Sequence, residues 1–317
     1  MTVLVTGAGG FIGSTLTARL LADGEKVIGV DALTDYYDVS LKRVNLARLE
    51  SPQFTFIEDD LATMPLEQLG QVTRIFHLAG QPGVRKSWGT DFAAYTHANV
   101  TATQRLLEHA RAVAGLERFV YASSSSVYGN AERFPTTELD LPSPMSPYGV
   151  TKLAGEHLCR AYASAFGLPT VSLRFFSVYG PRQRPDMAFT RFLTAAAVGT
   201  PIDLYGTGGQ VRDFTFVDDV VSAIVAAGAT STAPGSVFNV AGGSSASVND
   251  ALQLIAAITG REVLINRFDT IAGDVNRTGG DTTAIRDQLG WHPTTELEAG
   301  LRKHWDWVTE MLAQKEP

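Results

Sequence analysis

The sequence is poor in several features, and each shortage closes off a class of function. Among 317 residues there is one cysteine, Cys159. That excludes an internal disulfide and a cysteine-based metal site. It falls in an apolar helical pattern, where a buried, unreactive thiol is expected. No apolar run approaches the roughly 18 residues that span a bilayer, so no membrane partner is expected. The opening stretch MTVLVTGAGG has no basic segment ahead of its apolar residues. We therefore expect no signal peptide and a cytoplasmic protein. The six histidines show no metal-ligand spacing, and no metal is expected. Basic residues are outnumbered by acidic ones, 26 to 33, for a net charge of −7. That argues against a nucleic-acid partner. It still allows an anionic small molecule, which needs only a local cluster of arginines. There is no internal repeat or low-complexity tract.

What is present reads as a soluble enzyme, with 44% hydrophobic and 19% charged residues. The length suits one large core or two smaller ones. Val3–Thr6 reads as a short buried strand. It runs into Gly7-Ala-Gly-Gly10-Phe-Ile-Gly13, and Ser14–Asp23 follows as a helix. Strand, glycine turn and helix in that order make a phosphate cradle. Glycines let the backbone approach a pyrophosphate, and the helix N-terminus offers free N–H groups. The spacing is G-x-x-G-x-x-G, and a tight βα loop would read the same way. A second strand, Lys26–Val30, ends at Asp31, where a carboxylate can take both ribose hydroxyls of adenosine. It would repel a 2′-phosphate, so NAD is expected rather than NADP.

The alternation continues. The segment Asp35–Glu50 (DYYDVSLKRVNLARLE) ends in a helix whose apolar positions are Leu41, Val44, Leu46 and Leu49. Phe54–Ile57 is a strand followed by Asp59, Asp60 and Leu61, a candidate adenine clamp. Arg74–Leu78 is a strand running into Ala79-Gly80-Gln81. Ala94–Ala112 is a long helix carrying Asn99, and Arg118–Ser123 is a strand leading into Ser123–Ser126. Tyr148–Phe166 is a helix with an apolar face through Leu153, Ala154, Leu158, Ala161 and Ala165. Thr170–Phe175 is the sixth strand. Such alternation predicts an α/β fold, a Rossmann-type doubly wound parallel sheet. Beyond Phe175 the texture changes to short strands and mixed helices. We expect an NAD-binding domain over 1–175 and a smaller mixed α/β substrate lobe over 176–317, with some segments returning to the sheet.

Tyr148 and Lys152 stand i,i+4, which on a helix places both side chains on one face, about 5–6 Å apart at Cβ. A neighbouring ammonium favours phenolate, so the Tyr148 pKa is expected to fall from its usual value near 10. By itself this pair also fits a solvated helix face. His77, at the end of a buried strand, reads as a satisfied core residue, and Trp305 and Trp307 as packing. Arg85 could pair with Asp91 or serve a ligand.

Together the glycine turn, Asp31, Ser124, Tyr148 and Lys152 resemble the extended short-chain dehydrogenase/reductase family, whose members act on nucleotide sugars. Further matching points include Asp60-Leu61, His77-Leu-Ala79, Arg174–Pro181, Arg212-Asp-Phe214 and Gly273-Asp-Val275. The resemblance implies that Tyr148 is the base. It implies that Lys152 holds the nicotinamide ribose and that Ser124 bonds the sugar O4. It adds Gly7, Gly10, Phe11, Ile12, Gly13, Leu61, Leu78, Ala79, Gln81 and Asn99 to a cofactor set with Asp31 and Asp60.

Within the family, DYYDVSLKRVNLARLE, GQPGVRKSWGTDFAAY and GPRQRPDMAFTRF look like the uronate 4-epimerases, which act on UDP-glucuronate. Dehydratases carry Asp-Glu, and decarboxylases a Glu, where this chain has Ser125 and Ser126. Glucose/galactose epimerases have Asn at Ser177. The resemblance therefore implies inversion at C4 through a 4-keto sugar, with Ser125, Ser126, Ser177 and Arg184 holding the carboxylate. Arg85, Arg191 and Arg212 would meet the UDP phosphates, with Tyr205, Gln210 and Asp274 also at the substrate. It implies a homodimer as well. A glucose/galactose epimerase, a UDP-glucuronate decarboxylase and a non-catalytic NAD-binding sensor are the alternatives.

Overall fold

The structure is a computed structural model, and it describes residues 1–269 and 275–313. Twelve strands occur among the described residues. The first six are β1 (Thr2–Thr6), β2 (Lys26–Asp31), β3 (Phe54–Glu58), β4 (Arg74–His77), β5 (Arg118–Ser124) and β6 (Thr170–Phe175). The others are β7 (Ser177–Tyr179), β8 (Ile202–Tyr205), β9 (Val211–Phe216), β10 (Ser236–Val240), β11 (Ser245–Ser247) and β12 (Ile265–Phe268). Seven form one sheet in the order β10-β6-β5-β4-β1-β2-β3, and every neighbouring pair is parallel. Strand order reverses between β1 and β4. In open parallel sheets that reversal opens a crevice at the carboxyl ends of the strands.

Alternation along β1 shows why the sheet is covered on both faces. Val3 and Val5 pack with Leu16 and Leu20 of α1 (Phe11–Ala22), while Leu4 joins Leu106 and Leu107 on the other side. Successive strand residues point to opposite faces, so continuous apolar runs need helices on each. β9 sits between β7 and β11 in a three-stranded sheet, and β8 pairs with β12.

Three helices depart from their expected patterns. α2 (Val39–Ala47) leaves Val44 exposed and buries Lys42 and Asn45 instead. Asn45 Nδ2 donates to the Gly9 carbonyl at 3.1 Å, and Lys42 Nζ lies 3.7 Å from Asp31. The helix is turned by what the glycine turn needs, which its own periodicity does not encode. α5 (Pro147–Phe166) likewise exposes Ala161 and Ala165 and buries Thr151, Lys152, Gly155, Glu156 and Cys159. The long helix expected over Ala94–Ala112 is composite. It runs from α3 (Phe92–Tyr95) through a π-helical stretch, Thr96–Thr101, into α4 (Ala102–Ala112). Asn99 lies in the π stretch, a form often found at functional sites.

Candidate active site

The chain leaves β1 at Gly7, whose φ of 72° is the left-handed region that favours glycine. At Gly13 a Cβ would stand 2.0 Å from the Gly7 carbonyl oxygen, so α1 can close onto the turn only with glycine there. No side chain caps the first N–H groups of α1. Those groups and the helix dipole together suit a phosphate. At the end of β2, Asp31 accepts from Gly9 N–H at 3.0 Å and from Leu33 N–H at 2.8 Å. These bonds fix the carboxylate beside the turn and leave it capacity to accept more.

One cavity of about 830 Å³ runs along these strand ends. Gly7, Gly10, Phe11, Ile12, Gly13, Asp31, Asp60, Leu61, Leu78, Ala79 and Gln81 line it. Its other end is walled by Ser124, Ser125, Ser126, Tyr148, Lys152, Ser177 and Arg184. Cradle, clamped aspartate and length together fit a dinucleotide. A second cavity of about 470 Å³ shares Tyr36, Gly83 and Ser177 with the first, and its walls include Arg85, Arg191, Tyr205, Gln210 and Arg212. Arg85 stacks over the Tyr205 ring at 4.9 Å rather than pairing with an acid.

One expected contact does not line either cavity. Asn99 is buried behind the wall. Its carboxamide accepts from Gln81 N–H at 2.7 Å and donates to Gln81 O and Thr151 Oγ1. It holds the loop that lines the cavity. A Cβ at Gly80 would meet Asn99 Oδ1 at 2.6 Å, so this loop and Asn99 close on each other only with glycine at 80. Asp274 lies outside the described residues.

Tyr148 reaches the cavity because of how α5 begins. Ser146 caps it, its hydroxyl accepting from Gly149 N–H at 3.1 Å, and Pro147 fills the first turn, where no N–H is required. A Cβ at Gly149 would stand 2.6 Å from the Ser126 carbonyl, so glycine allows α5 to abut the serine turn. The expected fall in the Tyr148 pKa is not observed. Burial raises it above its ordinary value, and the Ser124 hydroxyl and the Arg184 charge oppose that rise without overcoming it. Removal from water penalises phenolate more than these neighbours favour it. The cation acting on Tyr148 is Arg184. Lys152 donates to the Ala122 carbonyl at 2.8 Å, and burial lowers its pKa to about 8 against the opposing charge of Glu156.

Glu156, one turn beyond Lys152, makes a bidentate pair with Arg174 of β6 through bonds of 2.9 and 2.8 Å. Ser123 also donates to Glu156, and Arg174 reaches the Tyr128 hydroxyl at 2.8 Å. The pair is almost fully buried, with side chains 3% and 5% exposed. It ties the helix bearing Tyr148 and Lys152 to β6, the strand next to the edge of the sheet. His77 is the satisfied core residue expected, held between the hydroxyls of Thr6 and Thr103, its pKa lowered to about 3 by burial. Cys159 is buried and its thiol pushed up.

Four site residues escape a reading of motifs. Tyr36, Lys42, Lys86 and Asp186 all line one or both cavities. None of the four is marked by the pattern of its own segment, since Lys42 stands among Ser40, Arg43 and Asn45 on a mixed helix. Among the described residues no group of histidine, cysteine and acidic side chains could hold a metal, and no helix is long and apolar enough to cross a membrane.

Residues 3–241 match the NAD dependent epimerase/dehydratase family. The chain is 45% identical over 304 residues to a Bacillus subtilis protein named as an uncharacterized UDP-glucose epimerase, YtcB, covering 95% of this chain and 96% of that one. It is 36% identical to a probable UDP-glucuronate 4-epimerase of Rhizobium meliloti, covering 98% and 97% of the two chains. Among solved structures it superposes on the UDP-glucuronic acid 4-epimerase of Bacillus cereus, in complex with UDP-glucuronic acid and NAD. The TM-score is 0.95 at 40% identity, covering 98% of this chain and all of that one.

Proposed function

The chain belongs to the NAD dependent epimerase/dehydratase family, and from that premise we propose that it is a UDP-glucuronate 4-epimerase with NAD as its cofactor. One observation beyond the comparisons carries the choice of substrate. Four serine hydroxyls (124, 125, 126 and 177) and the Arg184 guanidinium share a cavity end with Tyr148 and Lys152. The acids on that cavity, Asp31, Asp59 and Asp60, stand at the far half of the sheet, beyond β2 and β3. A carboxylate-bearing sugar beside Tyr148 therefore meets hydroxyl donors and a cation, and the acid nearest that cation, Asp186, is already paired with it.

Held along the glycine turn, Asp31 and Lys152, the cofactor would supply a reversible hydride acceptor for C4. Tyr148 removes the O4 proton and later restores it, acting as base and then as acid. Ser124, hydrogen-bonded to the phenol, holds O4 in line with it. Lys152, anchored on the Ala122 carbonyl, would hold the nicotinamide ribose. The transient 4-keto sugar is a β-keto acid and can lose CO₂. Hydroxyls at 125, 126 and 177 and the charge of Arg184 stabilise the carboxylate that this loss would consume. Arg85, Arg191 and Arg212 hold the diphosphate in the second cavity, with Tyr205 and Gln210 beside them.

The first cavity is walled mainly by residues 1–175 and the second mainly by later ones, which supports a division into cofactor and substrate lobes. Exposed Phe92 and Val150, on the neighbouring helices α3 and α5, support a homodimer. A chain with one cysteine needs no oxidising compartment, which supports the cytoplasm. Light scattering on the purified protein checks the dimer.

The deciding experiment is incubation with UDP-glucuronate and separation of the products. UDP-galacturonate is expected. A UDP-pentose with CO₂ would make the protein a decarboxylase, and unchanged substrate would overturn the assignment. In Arg184→Ala the kcat/KM for UDP-glucuronate should fall by about five- to 150-fold, the effect of losing one charge-assisted contact of roughly 1–3 kcal/mol.

A further inference from the structure

Arg184 is not a bare cation waiting for a ligand. Its Nε and Nη2 both bond Asp186, at 2.9 Å each, in a fork-to-fork pair. The two residues stand two apart on the loop between β7 and α6 (Ala188–Val198). Arg184 borders the larger cavity and Asp186 the smaller, so the pair sits where the two cavities meet. The partners differ in exposure. The arginine side chain is 17% exposed and the aspartate 40%. A largely buried guanidinium needs a counter-charge, whereas a carboxylate at the surface can return to water at little cost.

We propose that Asp186 is the resting counter-ion of Arg184, an internal carboxylate that the sugar carboxylate must displace, and that it thereby sets how strongly the site prefers a uronate to a neutral hexose. This rests on the assignment of Arg184 to the uronate carboxylate made above. The fork leaves Nη1 and one Nη2 proton unused, so an incoming carboxylate has donors on which to begin. Two carboxylates on one guanidinium repel each other, and Asp186, 40% exposed, can turn to water. The arginine has a second hold. Its guanidinium carbon lies 5.7 Å from the centroid of the Tyr36 ring, a cation–π contact that does not depend on Asp186. Tyr36 is itself fixed against Gly83, where a Cβ would stand 2.2 Å from its hydroxyl. Arg184 can thus change partners without leaving its place.

The consequence concerns substrate choice. A neutral hexose leaves Arg184 paired with Asp186, so no buried charge is stranded and discrimination against it is weak. Removing the internal carboxylate reverses this. The guanidinium is then satisfied only by a uronate, and a neutral hexose strands it.

The test uses the NAD-loaded enzyme and compares kcat/KM for UDP-glucuronate and UDP-glucose in wild type, Asp186→Asn, Asp186→Ser, Arg184→Ala and the double variant Arg184→Ala/Asp186→Asn. Removing Asp186 should raise the uronate-to-hexose ratio about fivefold or more. The change should lie in a lower KM for UDP-glucuronate and a higher KM for UDP-glucose, with kcat little altered. In the Arg184→Ala background the same substitution should leave the ratio unmoved, because its effect runs through the arginine. The serine variant guards against an asparagine-specific defect. An equal loss on both substrates would mean that Asp186 only supports the loop. A fall for UDP-glucuronate alone would mean that Asp186 aims Arg184 and does not compete with the ligand. Either result overturns the proposal. If wild type does not epimerise UDP-glucuronate at all, the functional assignment fails first, and the inference falls with it. A failure of the inference alone appears as an active wild type whose ratio is unmoved by Asp186→Asn.

Discussion

At position 148 burial and charge pull against each other. Desolvation holds the phenol protonated, while Ser124 and Arg184 draw it toward phenolate. Replacing Tyr148 by phenylalanine keeps the ring, which packs edge-on against Tyr95 at 6.3 Å, and removes only the acid–base group. kcat should fall roughly 10²–10⁴-fold with NAD retained, the usual range for general acid–base catalysis. Wild-type turnover in that variant would remove Tyr148 from its role. A pH profile separates the influence of Arg184. Its charge lowers the Tyr148 pKa, so Arg184→Ala lets that pKa rise, and the pH at which kcat/KM climbs should move upward. A profile that keeps its position would show that the arginine does not act on the base.

Among the elements, α5 carries the most. Its buried face is polar because the helix presents Tyr148 and Lys152 to the cavity while Glu156 meets Arg174 of β6. An apolar helix in that place would pack well and could not be aimed by a bidentate pair. Such pairs often add little net stability, but breaking one strands the partner. Glu156→Gln should therefore cost about 3–5 kcal/mol in denaturant unfolding. A loss under about 1 kcal/mol, the net worth of an ordinary hydrogen bond, would mean that the pair does not hold the helix. α2 follows the same logic on a smaller scale. Lys42 and Asn45 are turned inward to support Asp31 and the glycine turn, and Val44 is left in solvent.

For the whole molecule, the cavity that would hold the cofactor lies across the crevice at which the strand order reverses, lined by residues from both halves of the sheet. Binding there should stabilise the entire fold, by about 2.7 kcal/mol at a hundred times Kd. On protein stripped of nucleotide, NAD should raise Tm well above the shift given by NADP at equal concentration. The reason is Asp31, clamped by two backbone N–H groups where a 2′-phosphate would fall. Equal shifts from the two nucleotides would refute the reading.

What the sequence determined by itself was the set of features that follow from local rules. The glycine turn, the aspartate ending the second strand, the serines ending the fifth and the Tyr148–Lys152 spacing all depend on residues within a turn or two of each other. Their placement at strand ends then follows from any parallel doubly wound sheet. The tertiary structure decided what depends on distant partners. Which face α2 and α5 bury was settled by Gly9, 36 residues from Asn45, and by Arg174, 18 residues from Glu156. Asn99 was drawn off the cavity wall by Gln81 and Thr151. The Tyr148 pKa was set by burial, which no i,i+4 spacing reports. The counter-ion of Arg184 lay two residues away in plain view. Only the fold shows that the arginine is much the less exposed of the two, 17% against 40%, and on that difference rests the proposal that one is the ligand's partner and the other its competitor.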